Sequence, residues 1–245
     1  MSFTDGNCYG PTTQELNDAF VAEVDSLCGY VSDCYDDGDR LFMRAVLPLA
    51  DDVAPGDRIH NGIAIRAAGS AVFVHPYTLR QVCTNGAVMA QATQSVRIER
   101  VAHNGVVVPT YDVVMTIARF AEAVRDCATP AAFAQSIDAM RGAMSTPLNV
   151  AINLGQILHR APPGIARSVL NMVFREFENE TRGDGTAFEL ANVVTATARE
   201  TTDPEARWQL EELGGSLMAD VGASRRSINE GSYPPMHETG REYRR

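Results

Sequence analysis

The sequence predicts an α+β fold: an N-terminal helix, a small antiparallel β-sheet with hairpins, then a C-terminal helical layer. Three observations predict it. Apolar residues recur at helical spacing near the N-terminus, at Leu16, Phe20, Val24 and Leu27. Short β-branched or alternating runs separated by turn dipeptides fill the stretch that follows, as far as Val108. From Thr110 onward the period becomes helical and stays helical. A sheet followed by a run of helices segregates the two kinds of element, unlike the alternation of a doubly wound fold.

The first helix starts at Thr12-Thr13-Gln14-Glu15, where a threonine precedes a glutamate at capping-box spacing. Next, Gly29 to Tyr35 and Leu41 to Leu49 flank the acidic turn Asp36-Asp37-Gly38-Asp39 and read as a hairpin. Three Asn-Gly dipeptides, at Asn61-Gly62, Asn85-Gly86 and Asn104-Gly105, predict further tight turns, because both residues tolerate positive φ. Between them Ile63 to Arg66, Ala71 to His75, Ser95 to Val101 and Val106 to Val108 read as strands, and Leu79 to Ala92 is open between strand and helix. Six helices follow: Tyr111 to Cys127, Pro130 to Met144, Leu148 to His159, Ile165 to Glu178, Thr186 to Glu200 and Pro204 to Met218. Thr129-Pro130 and Asp203-Pro204 set a capping residue before a first-turn proline. The expected organisation is therefore an N-terminal helix plus sheet over residues 1–109, a helical region packed on it over 110–220, and a disordered tail over 221–245.

At 245 residues, with 45% apolar and 21% charged, the chain has ordinary globular composition. No apolar run approaches the roughly 20 residues a bilayer requires, and Met1-Ser2-Phe3-Thr4-Asp5 lacks an export signal, so a cytoplasmic protein with no membrane partner is expected. Cys8, Cys28, Cys34, Cys83 and Cys127 are odd in number and widely spaced, which fits free thiols in a reducing compartment.

All 21 basic residues are arginine, a bias that a GC-rich genome alone would produce. The net charge of −10 argues against indiscriminate binding to nucleic acid. Its distribution is uneven, since Val53 to Arg119 holds six arginines against three acids within an acidic chain. That asymmetry suits one face that attracts polyanions, unless those arginines pair with acids from elsewhere.

Catalytic motifs are not evident. Without lysine there is no Walker loop, and no strand-borne Gly-x-Gly-x-x-Gly, Gly-x-Ser-x-Gly elbow or zinc-protease histidine pair occurs. Cys28 and Cys34 lack the second cysteine pair of a zinc ribbon. Cys83, between Val82 and Thr84, reads as a small buried hydrophobe before it reads as a nucleophile served by His75 or His103. Glu176, Glu178 and Glu180 diverge around a helix end and fit a solvated terminus. No cofactor, metal or catalytic residue is expected.

Arg80-Gln81-Val82-Cys83-Thr84-Asn85-Gly86, followed by Arg97-Ile98-Glu99-Arg100 and His103, resembles the signature of the phage/plasmid-like proteins grouped as domain of unknown function 932. Asn192-x-x-Thr195-x-x-Ala198 and Leu210-Glu211 before Gly214-Gly215 look like the helical close of that family. The resemblance covers roughly residues 10 to 220 and implies a setting in phages, plasmids and integrated elements. The order of elements also looks broadly similar to single-strand annealing proteins of the Rad type, a topological likeness that implies no activity by itself.

Two functions follow as expectations. The first is a DNA-metabolism accessory of a mobile element that binds single-stranded DNA non-specifically, with Arg66, Arg80, Arg97 and Arg100 on phosphates. Tyr77, Phe73 or His75 would offer stacking surfaces, and the protein would act as a homo-oligomer. Core packing is the alternative for these rings, and it suits Phe73 better than Tyr77, which follows Pro76 at an expected turn. The second is an acidic adaptor or inhibitor that binds a host or element protein without touching DNA.

Overall fold

The computed structural model describes residues 10–69, 71–80, 88–90, 96–99, 110–148, 165, 167–181 and 185–229. Helix α1 (Thr13–Ser26) opens with the expected capping box: the Thr12 hydroxyl accepts from the Glu15 amide, and the Glu15 carboxylate accepts from the Thr12 amide. Leu16, Phe20 and Val24 are fully buried along one stripe, each such side chain contributing roughly 1.5–3 kcal/mol. The helix closes with Cys28 at φ 57° and the Gly29 amide donating to the Val24 carbonyl at 2.9 Å.

Strands β1 (Tyr30–Asp36) and β2 (Arg40–Ala54) form the expected hairpin, with Asp36 opposite Leu41. Its loop is tied by the Asp37 carboxylate, which accepts from the Arg40 amide at 2.8 Å and from the Arg40 guanidinium at 2.7 Å. Strands β3 (Asp57–Ala68) and β4 (Ala71–Arg80) continue the antiparallel order. Two short strands, β5 (Val88–Ala90) and β6 (Val96–Glu99), share the outer edge of β4, on Tyr77–Leu79 and Ala71–Val74 respectively.

Asn61-Gly62 is not a turn. It lies in the middle of β3, where Gly62 stands between Val46 and Tyr77, and the turns that flank β3 sit instead at Gly56 (φ 80°) and Gly69 (φ 59°). Gly62 is required there by crowding, since a Cβ would run into the Ala45 carbonyl oxygen and lie 2.7 Å from the Tyr77 ring. Asn61 is buried and donates Nδ2 to the Ala128 carbonyl, which ties the sheet to the end of the second helix. Pro76 makes no turn either. It falls between the stretches of β4 paired with β6 and with β5, so its missing N–H deprives neither of a donor. Asn85-Gly86 and Asn104-Gly105 lie outside the described residues.

The helices that follow are α2 (Thr110–Cys127), α3 (Pro130–Met144), α4 (Arg167–Thr181), α5 (Ala187–Glu200) and α6 (Pro204–Asn229), with a small ladder of β7 (Pro147–Leu148) and β8 (Gly185–Thr186). The architecture is mixed α+β. Helix α6 continues through Asn229, into the stretch expected as a tail, and residues 230–245 are outside the described residues. The segment expected as a helix from Leu148 to His159 lies almost wholly outside them as well.

Strand alternation sorts the sheet into two faces. Leu41, Met43, Ala45 and Leu47 of β2, Ile63, Ile65 and Ala67 of β3, and Val72 and Val74 of β4 pack under α1 and α2 with Phe20, Phe120 and Val124. The opposite face carries Phe42, Ala64 and Tyr77, which close around Trp208 of α6. A third cluster joins α3, α4, α5 and α6 to the far end of the sheet through Val53 and Ile59.

Candidate interaction surface

On the α6 side, antiparallel register lines side chains into rows that cross the sheet. One row runs Tyr35, Phe42, Arg66, Phe73, Arg97, each directly opposite the next on the neighbouring strand. Tyr35 and Phe42 meet edge to face with centroids 6.1 Å apart. The guanidinium carbons of Arg66 and Arg97 lie 5.4 and 5.7 Å from the centroid of the Phe73 ring. Arg66 also donates Nε and Nη2 to the two carboxylate oxygens of Glu205, at 3.0 and 2.7 Å, where α6 begins.

The next row runs Asp33, Arg44, Ala64, His75. Arg44 donates Nε and Nη2 to one Glu211 oxygen at 3.0 and 2.7 Å, and Nη1 to Asp33 at 2.9 Å. Arg207 closes the circuit, reaching Asp33 at 3.0 Å and the other Glu211 oxygen at 3.2 Å. The result is a ring of two arginines and two carboxylates, in which the side chains of Arg44 and Glu211 are 3% and 0% exposed. Burial pushes the Glu211 carboxyl above its ordinary value, against the pull of Arg44 and Arg207. Beside the ring, His75 Nε2 stands 3.3 Å from Glu212 and edge-on to Trp208 at 4.9 Å. Burial raises the Glu212 carboxyl too, opposed by a hydrogen bond from Trp208 and by the nearby Arg66.

The arginines expected to contact phosphate are therefore placed very differently from one another. Arg66 is held by Glu205, and Arg80 donates Nε and Nη2 to Asp57 at 2.6 and 2.7 Å with its guanidinium over Phe188. Arg97 is exposed on β6, and Arg100 lies outside the described residues. Tyr77 is 2% exposed, so it offers no stacking surface: β4 runs on through Pro76 and carries its ring under α6. Burial pushes its phenol far above the usual value. Phe73, the ring that core packing suits better on sequence, is instead half-buried between its two arginines. His75 is buried.

Sequence reasoning assigns Arg44 no role and marks Glu211 only within the Leu210-Glu211 element of the family resemblance, not as a charge partner. The available signal is local: Arg44 interrupts the apolar run Leu41 to Leu49, and Glu211 shares a helical stripe with Trp208. Nothing in either segment names the other as partner.

At the other end of the hairpin a cleft of about 350 Å³ is lined by Cys28, Tyr30, Val46, Leu47, Pro48, His60 and Leu79. It forms where β2 slips register between Val46 and Ala50, a bulge that carries Pro48 and leaves Leu49 40% exposed. Cys28 and Cys34 are exposed thiols, whereas Cys127 is buried and its thiol is pushed up to about 12, first by burial and then by Asp126. Cys83 lies outside the described residues. Glu176, Glu178 and Glu180 are exposed on α4. Among the described residues no group of three or more His, Cys, Asp or Glu is placed to hold a metal ion, and no helix is long and apolar enough to cross a membrane. No family model, no curated protein and no solved structure matches the chain.

Proposed function

We propose that this chain is an acidic interaction module that binds a basic protein partner, acting by binding and not by catalysis. The inward pairing of the sheet arginines is the observation that carries this reading. Arg66 and Arg80 of the middle segment, and Arg44 of the same sheet, spend their donors on carboxylates of the same chain, so these three positive charges are neutralised where a polyanion would need them. What remains outward on the β1–β2 hairpin is acidic and aromatic: Asp36, Asp39, Tyr30 and Tyr35 are exposed. With a net charge of −10, electrostatic complementarity selects a basic partner. The mobile-element setting implied by the family resemblance suits an adaptor or inhibitor of that kind.

A specific observation favours single-stranded DNA as a second reading. Phe73 and Arg97 present a ring and a guanidinium together at the β6 edge, the combination on which a base stacks beside its phosphate. Fluorescence anisotropy with a labelled arginine-rich peptide and with labelled oligothymidylate, each at two salt concentrations, separates the readings. Peptide binding without DNA binding is expected, and the reverse pattern refutes the adaptor.

A further inference from the structure

We infer that the outer edge of β1 is a docking site for an extended, basic segment of a partner protein, which adds to the sheet as a further strand and seats an apolar side chain in the cleft beside Tyr30. This rests on the adaptor reading and gives it a location. Strand β1 ends the sheet order and pairs, among the described residues, with β2 alone, so one side of its backbone faces outward. An unpaired edge of this kind is a template for strand addition, in which main-chain hydrogen bonds supply affinity and pockets for alternate side chains supply selectivity.

The two ends of the edge differ in chemistry. At its start Tyr30, 60% exposed, forms one lip of the cleft, whose floor of Val46, Leu47 and Leu79 is apolar. At its end lie Asp36, Asp37 and Asp39, of which Asp37 already holds Arg40 at 2.7 Å. A strand running along β1 meets an apolar pocket at one end and carboxylates at the other. A second copy of this chain is a poor occupant, because its β1 holds no basic residue to offer the carboxylates at the Asp36 end, and in parallel pairing its own Asp36 would meet like charge. A nucleic acid backbone is disfavoured by the same charge. A basic segment with an apolar residue at one end satisfies both ends.

The test uses the full chain and a fluorescein-labelled octapeptide of alternating arginine and valine, with an analogue carrying N-methyl groups on two adjacent central residues. The analogue keeps every side chain but cannot pair along either edge. Expected are salt-sensitive binding of the first peptide, little binding of the second, and slowed hydrogen exchange over residues 30–36. Tyr30→Ala, at an exposed site that leaves the far-ultraviolet dichroism unchanged, should weaken binding at least about tenfold, as loss of an aromatic anchor does. Equal binding of both peptides would sink the edge site while sparing the acidic-surface reading. Failure of both to bind at low salt would remove the two together. Protection of residues 30–36 without peptide, in a dimer that grows with concentration, would name a second copy as occupant and overturn the inference.

Discussion

Arg44 and Glu211 stand 167 residues apart in sequence and meet in the interior, with Nη2 and Oε2 separated by 2.7 Å. The pair seats α6 on the sheet in one register. Because Asp33 and Arg207 complete the ring, each charge in it faces a counter-charge.

Removing one member should be far costlier than removing two. Glu211→Ala leaves Arg44 buried with only part of its compensation, a loss of about 3–5 kcal/mol in urea unfolding. Arg44→Met with Glu211→Met leaves the Asp33–Arg207 pair at 3.0 Å intact, so the double variant is expected within about 1 kcal/mol of the parent, or above it. A double variant as unstable as Glu211→Ala would show that the ring contributes stability of its own.

The pH dependence of Glu212 follows from the sign of its shift. Its folded value lies above the ordinary 4.5, so the native state binds its proton more tightly than the unfolded chain does. Its stabilising contribution is whole below the unfolded value and is lost as pH rises through the folded one. Relative to Glu212→Gln, which cannot titrate, the parent should lose stability as pH is raised from 4.5. Urea midpoints across that range check it, and a parent that gains on the variant would reverse the assignment.

How legible this molecule was depends on the range of the interaction. Helix α1 and the β1–β2 hairpin are written in periodicity and in turn residues a few positions apart, and both appear as expected. Asn61-Gly62 misleads because the dipeptide has two physical uses. Its glycine serves close packing against Ala45 and Tyr77, and its asparagine bonds Ala128, contacts that no local window contains. The surface was the least legible part. That Arg66 and Arg80 pair with Glu205 and Asp57 depends on positions only the fold supplies.

That second use of glycine makes a sharp prediction. Gly62→Ala should cost about 1–3 kcal/mol by overpacking, since its Cβ has nowhere to go between the Ala45 carbonyl and the buried Tyr77 ring. Gly38→Ala, in an open loop at φ 89°, should cost about 1 kcal/mol through conformation alone. Thermal melts of the two variants distinguish crowding from turn strain. Were Gly62→Ala to melt like the parent, β3 would not pass so close to β2.

The last prediction separates the two functional readings at Phe73. Reversing Arg66 to Glu is an unclean test, because the new carboxylate would face Glu205 and disturb the seat of α6. Arg97 is the better position, exposed on β6, where charge reversal ordinarily shifts stability by no more than about 0.5 kcal/mol. If the adaptor reading holds, Arg97→Glu leaves binding of the arginine-rich peptide at or slightly above the parent level, and oligothymidylate binds neither protein. If single-stranded DNA is the ligand, the same substitution weakens it for every sequence alike and lowers the logarithmic salt slope by roughly 0.7 for the phosphate contact removed. Phe73→Ala then adds a loss that salt does not change, because stacking is not a counterion effect. A DNA affinity that falls with Arg97→Glu and falls again with Phe73→Ala, while the peptide is ignored, would overturn the proposed function.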